Sequence, residues 1–116
     1  VSRPQIPTVT IDQLPADARL LDVREDEEWA AGHAEYALHV PMNLVPNQVS
    51  YQPEILGDPS GGPIYVMCKM GGRSAQVTAW LVHNGYDAVN VAGGMHSWAD
   101  SGRAMVSENG QPPMVL

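Results

Sequence analysis

Short apolar runs alternate with helix-like segments along this chain, and that alternation constrains the fold more than any other feature. Leu20-Leu21-Asp22-Val23, Leu38-His39-Val40, Ile64-Tyr65-Val66-Met67 and Ala88-Val89-Asn90-Val91 read as strands. Ile64-Tyr65-Val66-Met67 is the strongest of them, with no charge and two β-branched residues. Glu25 to Ala31 reads as a short helix with acids in its first turn, where the helix dipole favours negative charge. Met42 to Val49 reads as a second, brief helix. Arg73 to Asn84 carries apolar rows at Ala75, Ala79 and Val82 and at Val77, Trp80 and Leu81, and Asn84-Gly85 ends it in a left-handed cap. A last helix has Met95, Trp98 and Ala99 at helical spacing and stops at Gly102. Gln52 to Pro63, rich in Gly, Pro, Ser and Asp, is a loop, and Ser107 to Leu116 with Pro112-Pro113 reads as a tail. Strands and helices joined by short loops imply an α/β domain with a mainly parallel sheet. A length of 116 residues fits one such domain over 1–116, with a core at about 8–103.

Charge and cysteine count narrow the function. Thirteen acidic and six basic side chains leave a formal charge of −7, which argues against nucleic-acid and anionic-membrane surfaces, both of which need a basic face. One cysteine excludes an internal disulfide, a Cys-rich zinc site and a dithiol redox pair. The four histidines are scattered without a ligand pair, so no metal and no cofactor is expected. No apolar stretch approaches a membrane span and no secretory pattern opens the chain, so the cytoplasm is the expected location. Val1 in place of methionine leaves room for a leader trimmed before it.

In a parallel sheet, ligands bind beyond the carboxyl ends of the strands. There the sole cysteine opens Cys68-Lys69-Met70-Gly71-Gly72-Arg73-Ser74, which runs straight into a helix. The two glycines let backbone N–H groups turn toward one point, and the helix adds its positive end. Lys69 and Arg73 add formal positive charge. Each effect favours a thiolate, so the Cys68 pKa is expected below its ordinary value. The bland alternative is a small buried cysteine finishing a core strand, which needs neither the glycines nor the cations. Arg24, at the end of the first strand, either steers anions to the same edge or merely pairs with Asp22 or the Glu25–Glu28 run. Trp29, Trp80 and Trp98 sit on apolar faces and read as core, and Gly93-Gly94 reads as a tight strand-to-helix turn.

These residues resemble the rhodanese-like family of sulfurtransferases. Leu20-Leu21-Asp22-Val23-Arg24-Glu25 looks like its amino-terminal strand signature, and Cys68 to Ser74 matches its Cys-x-x-Gly-x-Arg-Ser active loop. Asn84-Gly85-Tyr86 and Val91-Ala92-Gly93-Gly94-Met95, with Trp98 behind, match its closing pattern. The resemblance implies a five-stranded parallel sheet with helices on both faces. It also implies that Cys68 takes a sulfane sulfur from a small anionic donor such as thiosulfate and carries it as a persulfide. Lys69, Met70, Gly71, Gly72, Arg73, Ser74 and Arg24 would then bind substrate, with Asp22 in support. The acceptor, cyanide or a thiol on a small molecule or protein, must come from outside, because no second cysteine is present. One segment departs from the family: His33-Ala34-Glu35-Tyr36-Ala37 stands where a His-Ile-Pro-Gly-Ala turn is common. Two rivals compete with transfer. A phosphatase or arsenate reductase of similar fold would need five residues between Cys and Arg, and only four stand here. A non-catalytic binding or regulatory module would usually lack the cysteine.

Overall fold

The computed structural model describes residues 6–116; the first five positions of the domain expected over 1–116 lie outside the described residues. Five strands, β1 (Thr8–Val9), β2 (Arg19–Asp22), β3 (Leu38–His39), β4 (Ile64–Met67) and β5 (Ala88–Val91), form one sheet in the order β1-β5-β4-β2-β3. Every pairing among them is parallel. The helices are α1 (Asp26–Ala31), α2 (Val45–Tyr51), α3 (Gly72–His83) and α4 (Gly94–Asp100).

Period-two alternation along the strands divides the core between the two faces of the sheet. Leu21 and Val66 join Val45, Val49, Val77 and Leu81 under α2 and α3. Their neighbours Leu20 and Met67 face the other way, with Met95 and Trp98 of α4 and with Ile11 and Leu14. Covering both faces explains why these strands are mostly apolar.

The sequence reading of β4 and β5 coincides with the observed spans, while β2 is shifted by one residue. Val23 still donates to the Met67 carbonyl at 2.9 Å, so the ladder runs past the assigned end of the strand. Gln52–Pro63 is not featureless: two 3-10 turns, Pro53–Leu56 and Pro59–Gly61, occupy it, each opened by a proline whose missing N–H costs nothing there. Met42 to Val49 likewise divides into a 3-10 turn at Met42–Leu44 and α2. β1 has no counterpart among the strands read from composition and periodicity. Two residues are too few for a period, and the strand exists because β5 offers a free edge: Asn90 N–H donates to Pro7 and Ala92 N–H to Val9, both at 2.8 Å.

The carboxyl-terminal segment is more than a tail. Residue Val106 forms a bridge with His33, Glu108 N–H donates to the Ala30 carbonyl at 2.8 Å, and Met114 N–H to the Ala31 carbonyl at 2.9 Å. These are carbonyls that the end of α1 leaves without an intrahelical partner. Val115 packs against the core face shared with α4. No helix among the described residues is long and apolar enough to cross a membrane.

Candidate active site

Cys68 follows β4 directly. Two residues beyond Val66 on the same face of the strand, it belongs to the core cluster beneath α3 and is 1% exposed. The chain then makes a tight loop into α3, and Gly71 at φ +111° is the position where only glycine is unstrained. That bend aims the Gly71 N–H at Sγ, 3.1 Å away. Ser74, fully buried in the first turn of α3, places its Oγ 3.3 Å from Sγ.

The loop carbonyls are held away from the sulfur by α4. Met95 N–H donates to the Cys68 carbonyl at 2.8 Å, His96 N–H to Lys69 at 3.0 Å, and Gly93 N–H to Met70 at 3.2 Å. The Gly93-Gly94 turn thus does more than reverse the chain. It brings the unpartnered N–H groups of a helix start onto the active loop, leaving that loop's own N–H groups to face sulfur. A Cβ on Gly94 would stand 2.8 Å from the Lys69 carbonyl oxygen, so a side chain there would prise the two segments apart.

The Cys68 thiol lies below its ordinary pKa. Burial pushes it up, and this is outweighed by hydrogen bonding from the Ser74 side chain and from the backbone N–H groups of Ser74, Gly71 and Met70. Hydrogen bonds lead this depression, and Arg73 is coupled to the sulfur by charge as well.

The cations expected at this edge take three different positions. Arg24 is fully buried, with Nε and Nη2 on the Asp22 carboxylate, Nη2 also on the Gly32 carbonyl at 2.7 Å, and Nη1 on the Glu28 carbonyl at 3.3 Å. Asp22 Oδ1 also accepts the Arg24 N–H. Of the two readings of Arg24, the geometry shows the pairing with Asp22. Its guanidinium bonds the Asp22 carboxylate and the carbonyls at and just beyond the end of α1. Arg73 grips Glu28 with both terminal nitrogens, at 2.6 and 2.9 Å. That fork holds the Glu28 carboxyl at about 2, against an ordinary 4.5, and raises Arg73 in turn. Lys69 is half-buried and, among the described residues, enters no ion pair or side-chain hydrogen bond. Met70 forms an exposed rim, Gly71 is half-buried, and Gly72 is exposed at the start of α3.

A match to the model of the rhodanese-like domain spans residues 9–101. The chain belongs to the rhodanese-like domain family. It is 40% identical over 102 residues to a protein of Arabidopsis thaliana named thiosulfate sulfurtransferase 16, chloroplastic, covering 82% of this chain and 85% of that one. It is 37% identical over 95 residues to a sulfurtransferase of Allochromatium vinosum, covering 81% and 83%. Among solved structures, a human single-domain sulfurtransferase superposes with a TM-score of 0.70 at 29% identity, covering 83% of this chain and 97% of that one.

Within this rhodanese-like domain, sequence reasoning missed two residues of the site. Glu28 lies 45 positions from Arg73, among four consecutive acids, and nothing local distinguishes it from the others. Asn90 accepts from Ser74 Oγ at 2.6 Å and donates through Nδ2 to the Gly71 carbonyl at 3.3 Å. Its signal was present: a polar residue inside Ala88–Val91 on a covered strand requires a buried partner. Trp98 is core as expected. Trp29 is only half-buried and stacks on the imidazoles of His33 and His39, with centroids 3.5 and 4.6 Å away. The departing segment His33–Ala37 closes through Ala37 N–H to the Ala34 carbonyl, and the Tyr36 hydroxyl donates to Ala16. Its Tyr36 ring packs toward Trp98 rather than the Cys68 loop.

Proposed function

We propose that this protein is a sulfurtransferase that carries a sulfane sulfur on Cys68. The observation that carries the reading is the cradle itself: a buried sulfur at a strand end, with the Gly71 N–H 3.1 Å away and the thiol pKa lowered. The names of the two curated relatives support the same chemistry. A thiosulfate-class donor presents its outer sulfur to the Cys68 thiolate. The new S–S bond forms as the donor's own S–S bond breaks, and sulfite leaves with the electron pair. A thiophilic nucleophile, cyanide or an external thiolate, then attacks the outer sulfur and expels the Cys68 thiolate, restoring the site. Both steps pass through anions, and the N–H groups of the loop stabilise sulfur charge without moving.

Roles follow for the rest of the loop. Lys69 draws in the anionic donor and accompanies departing sulfite. Gly71 and Gly72 allow the N–H cradle, Ser74 bonds the sulfur, and Met70 forms the apolar rim over which donor and acceptor enter. Arg73, fixed by Glu28, supplies a positive field rather than a clamp. An oxyanion hydrolase needs its arginine fork open to the substrate. Here both terminal nitrogens grip Glu28, and four residues rather than five separate Cys68 from Arg73. The retained Cys68 weighs against a purely binding or regulatory module. A small anionic donor and an external thiol or protein acceptor are the partners we assign, without nucleic acid.

Incubation with thiosulfate, followed by intact-mass measurement, tests the assignment. One added sulfur on the wild type, removed by cyanide and missing from Cys68→Ser, is expected. No adduct, or an equal adduct on the variant, overturns it.

A further inference from the structure

Asn90 touches two of the residues that hydrogen-bond the Cys68 sulfur, Ser74 and Gly71. Its Oδ1 accepts from Ser74 Oγ at 2.6 Å, and its Nδ2 donates to the carbonyl of Gly71, whose own N–H points at Sγ. The geometry follows from the sheet. Asn90 shares the face of Ala88, pairs in register with Val66, and so lies beneath the start of α3 beside Cys68. It is 6% exposed, which leaves no solvent to replace these partners.

A serine hydroxyl carries one proton. While that proton is donated to Asn90 Oδ1, the Ser74 oxygen can only accept from sulfur, so this arrangement suits the Cys68 thiol. A thiolate or persulfide anion has no proton to give and needs Ser74 as a donor. Ser74 must then turn its O–H from Asn90 to sulfur. The amide orientation of Asn90 resists the change, because the Gly71 carbonyl can only accept and therefore keeps Nδ2 on its side. That resistance is modest: the Nδ2 bond is 3.3 Å long, and the Gly71 carbonyl also accepts from Ala75 N–H at 3.1 Å.

We propose that Asn90 is a positioning residue that controls, through the single hydroxyl proton of Ser74, how readily Cys68 becomes and stays an anion. Deprotonation sends the thiol proton to solvent, the electron pair stays on sulfur, and the Ser74 O–H rotates from Oδ1 to Sγ. Nothing else is gained or lost. The inference rests on the sulfurtransferase reading only in taking the sulfur anion as the working form. Other charged groups around the loop are Lys69, the Arg73–Glu28 pair of α3 and α1, the buried Asp22–Arg24 pair, and His96 on α4, whose Nε2 lies 3.4 Å from Asp100. All of them stay in place in the variants below.

The pH dependence of Cys68 alkylation by iodoacetamide reads the thiolate directly and does not depend on sulfur transfer. Asn90→Leu, close in size and unable to accept, frees the Ser74 proton for sulfur and should move the midpoint down by about 0.5–1 pH unit. Asn90→Asp holds that proton more firmly and should move it up. Ser74→Ala removes the donor, should also move it up, and should abolish the effect of Asn90→Leu in the double variant. A merely structural role would shift both Asn90 variants in the same direction. Shifts of one sign, no shift, or an Asn90→Leu effect that survives in Ser74→Ala overturns the proposal. Failure of the sulfurtransferase reading would show instead as a missing persulfide, with these alkylation profiles intact.

Discussion

Two arginine–carboxylate pairs sit within one layer of each other and behave differently. Asp22 ends β2 and Arg24 stands two residues beyond it, both buried, and the guanidinium also bonds the carbonyls of Glu28 in α1 and of Gly32 just past it. Arg73 and Glu28 join α3 to α1 across 45 residues, and the arginine keeps a third of its side chain in solvent. The first pair holds the frame and the second holds the site. Glu28 links them: its backbone carbonyl rests on Arg24 while its carboxylate grips Arg73. The lesson is that a formal cation near a buried, activated cysteine can be fully committed to the scaffold. Among the described residues, Lys69 alone of the three cations expected here enters no ion pair.

Breaking the buried pair should have the largest effect. Arg24→Leu strands the Asp22 carboxylate and should cost about 3–5 kcal/mol in chemical denaturation. Asp22→Asn added to it should recover a substantial part, because the uncompensated charge is then gone. A cost below about 1 kcal/mol for Arg24→Leu would dissolve the contrast between the pairs.

The half-buried pair should be cheaper. Arg73→Ala is expected to cost about 1–2 kcal/mol, reduced by solvent screening, yet to slow persulfide formation more than Arg24→Lys does at equal folded fraction. Stopped thiosulfate incubations with mass readout measure this. Glu28 adds a pH signature. Its carboxyl sits at about 2 rather than 4.5, so it contributes stability that is present above about 4.5 and is lost as pH falls toward 2. The stability gap between wild type and Glu28→Gln should therefore close across that window and be constant above it. The smallest effect belongs to Lys69→Ala: no loss of stability, but a few-fold rise in the thiosulfate concentration needed for half-maximal rate, shrinking with added salt.

How much of this was legible beforehand differs by element. β4 and β5 were readable because four consecutive apolar-rich residues between turn signals leave little alternative, and the Cys68 loop because its glycines and cations are contiguous. β1 was not, since its two residues are a strand only by virtue of the free β5 edge. Arg24 was legible as a choice between two roles, and its pairing with Asp22 became visible only with the fold. Ser107–Leu116 carries prolines and polar residues that mark a tail, yet its N–H groups cap the open carbonyls of α1.

The amino-acid sequence by itself therefore determined the α/β alternation, the place of Cys68 at a strand end and the resemblance of its loop, because periodicity and turn chemistry act between near neighbours. Only the tertiary structure decided which carboxylate takes which guanidinium, that Asn90 holds the Ser74 hydroxyl, and that α4 draws the loop carbonyls away from sulfur. Except for Asp22–Arg24, two positions apart, those pairings join residues 16 to 45 positions apart, and a hydrogen bond at 3 Å is specified by where the backbones cross rather than by what stands nearby in the chain.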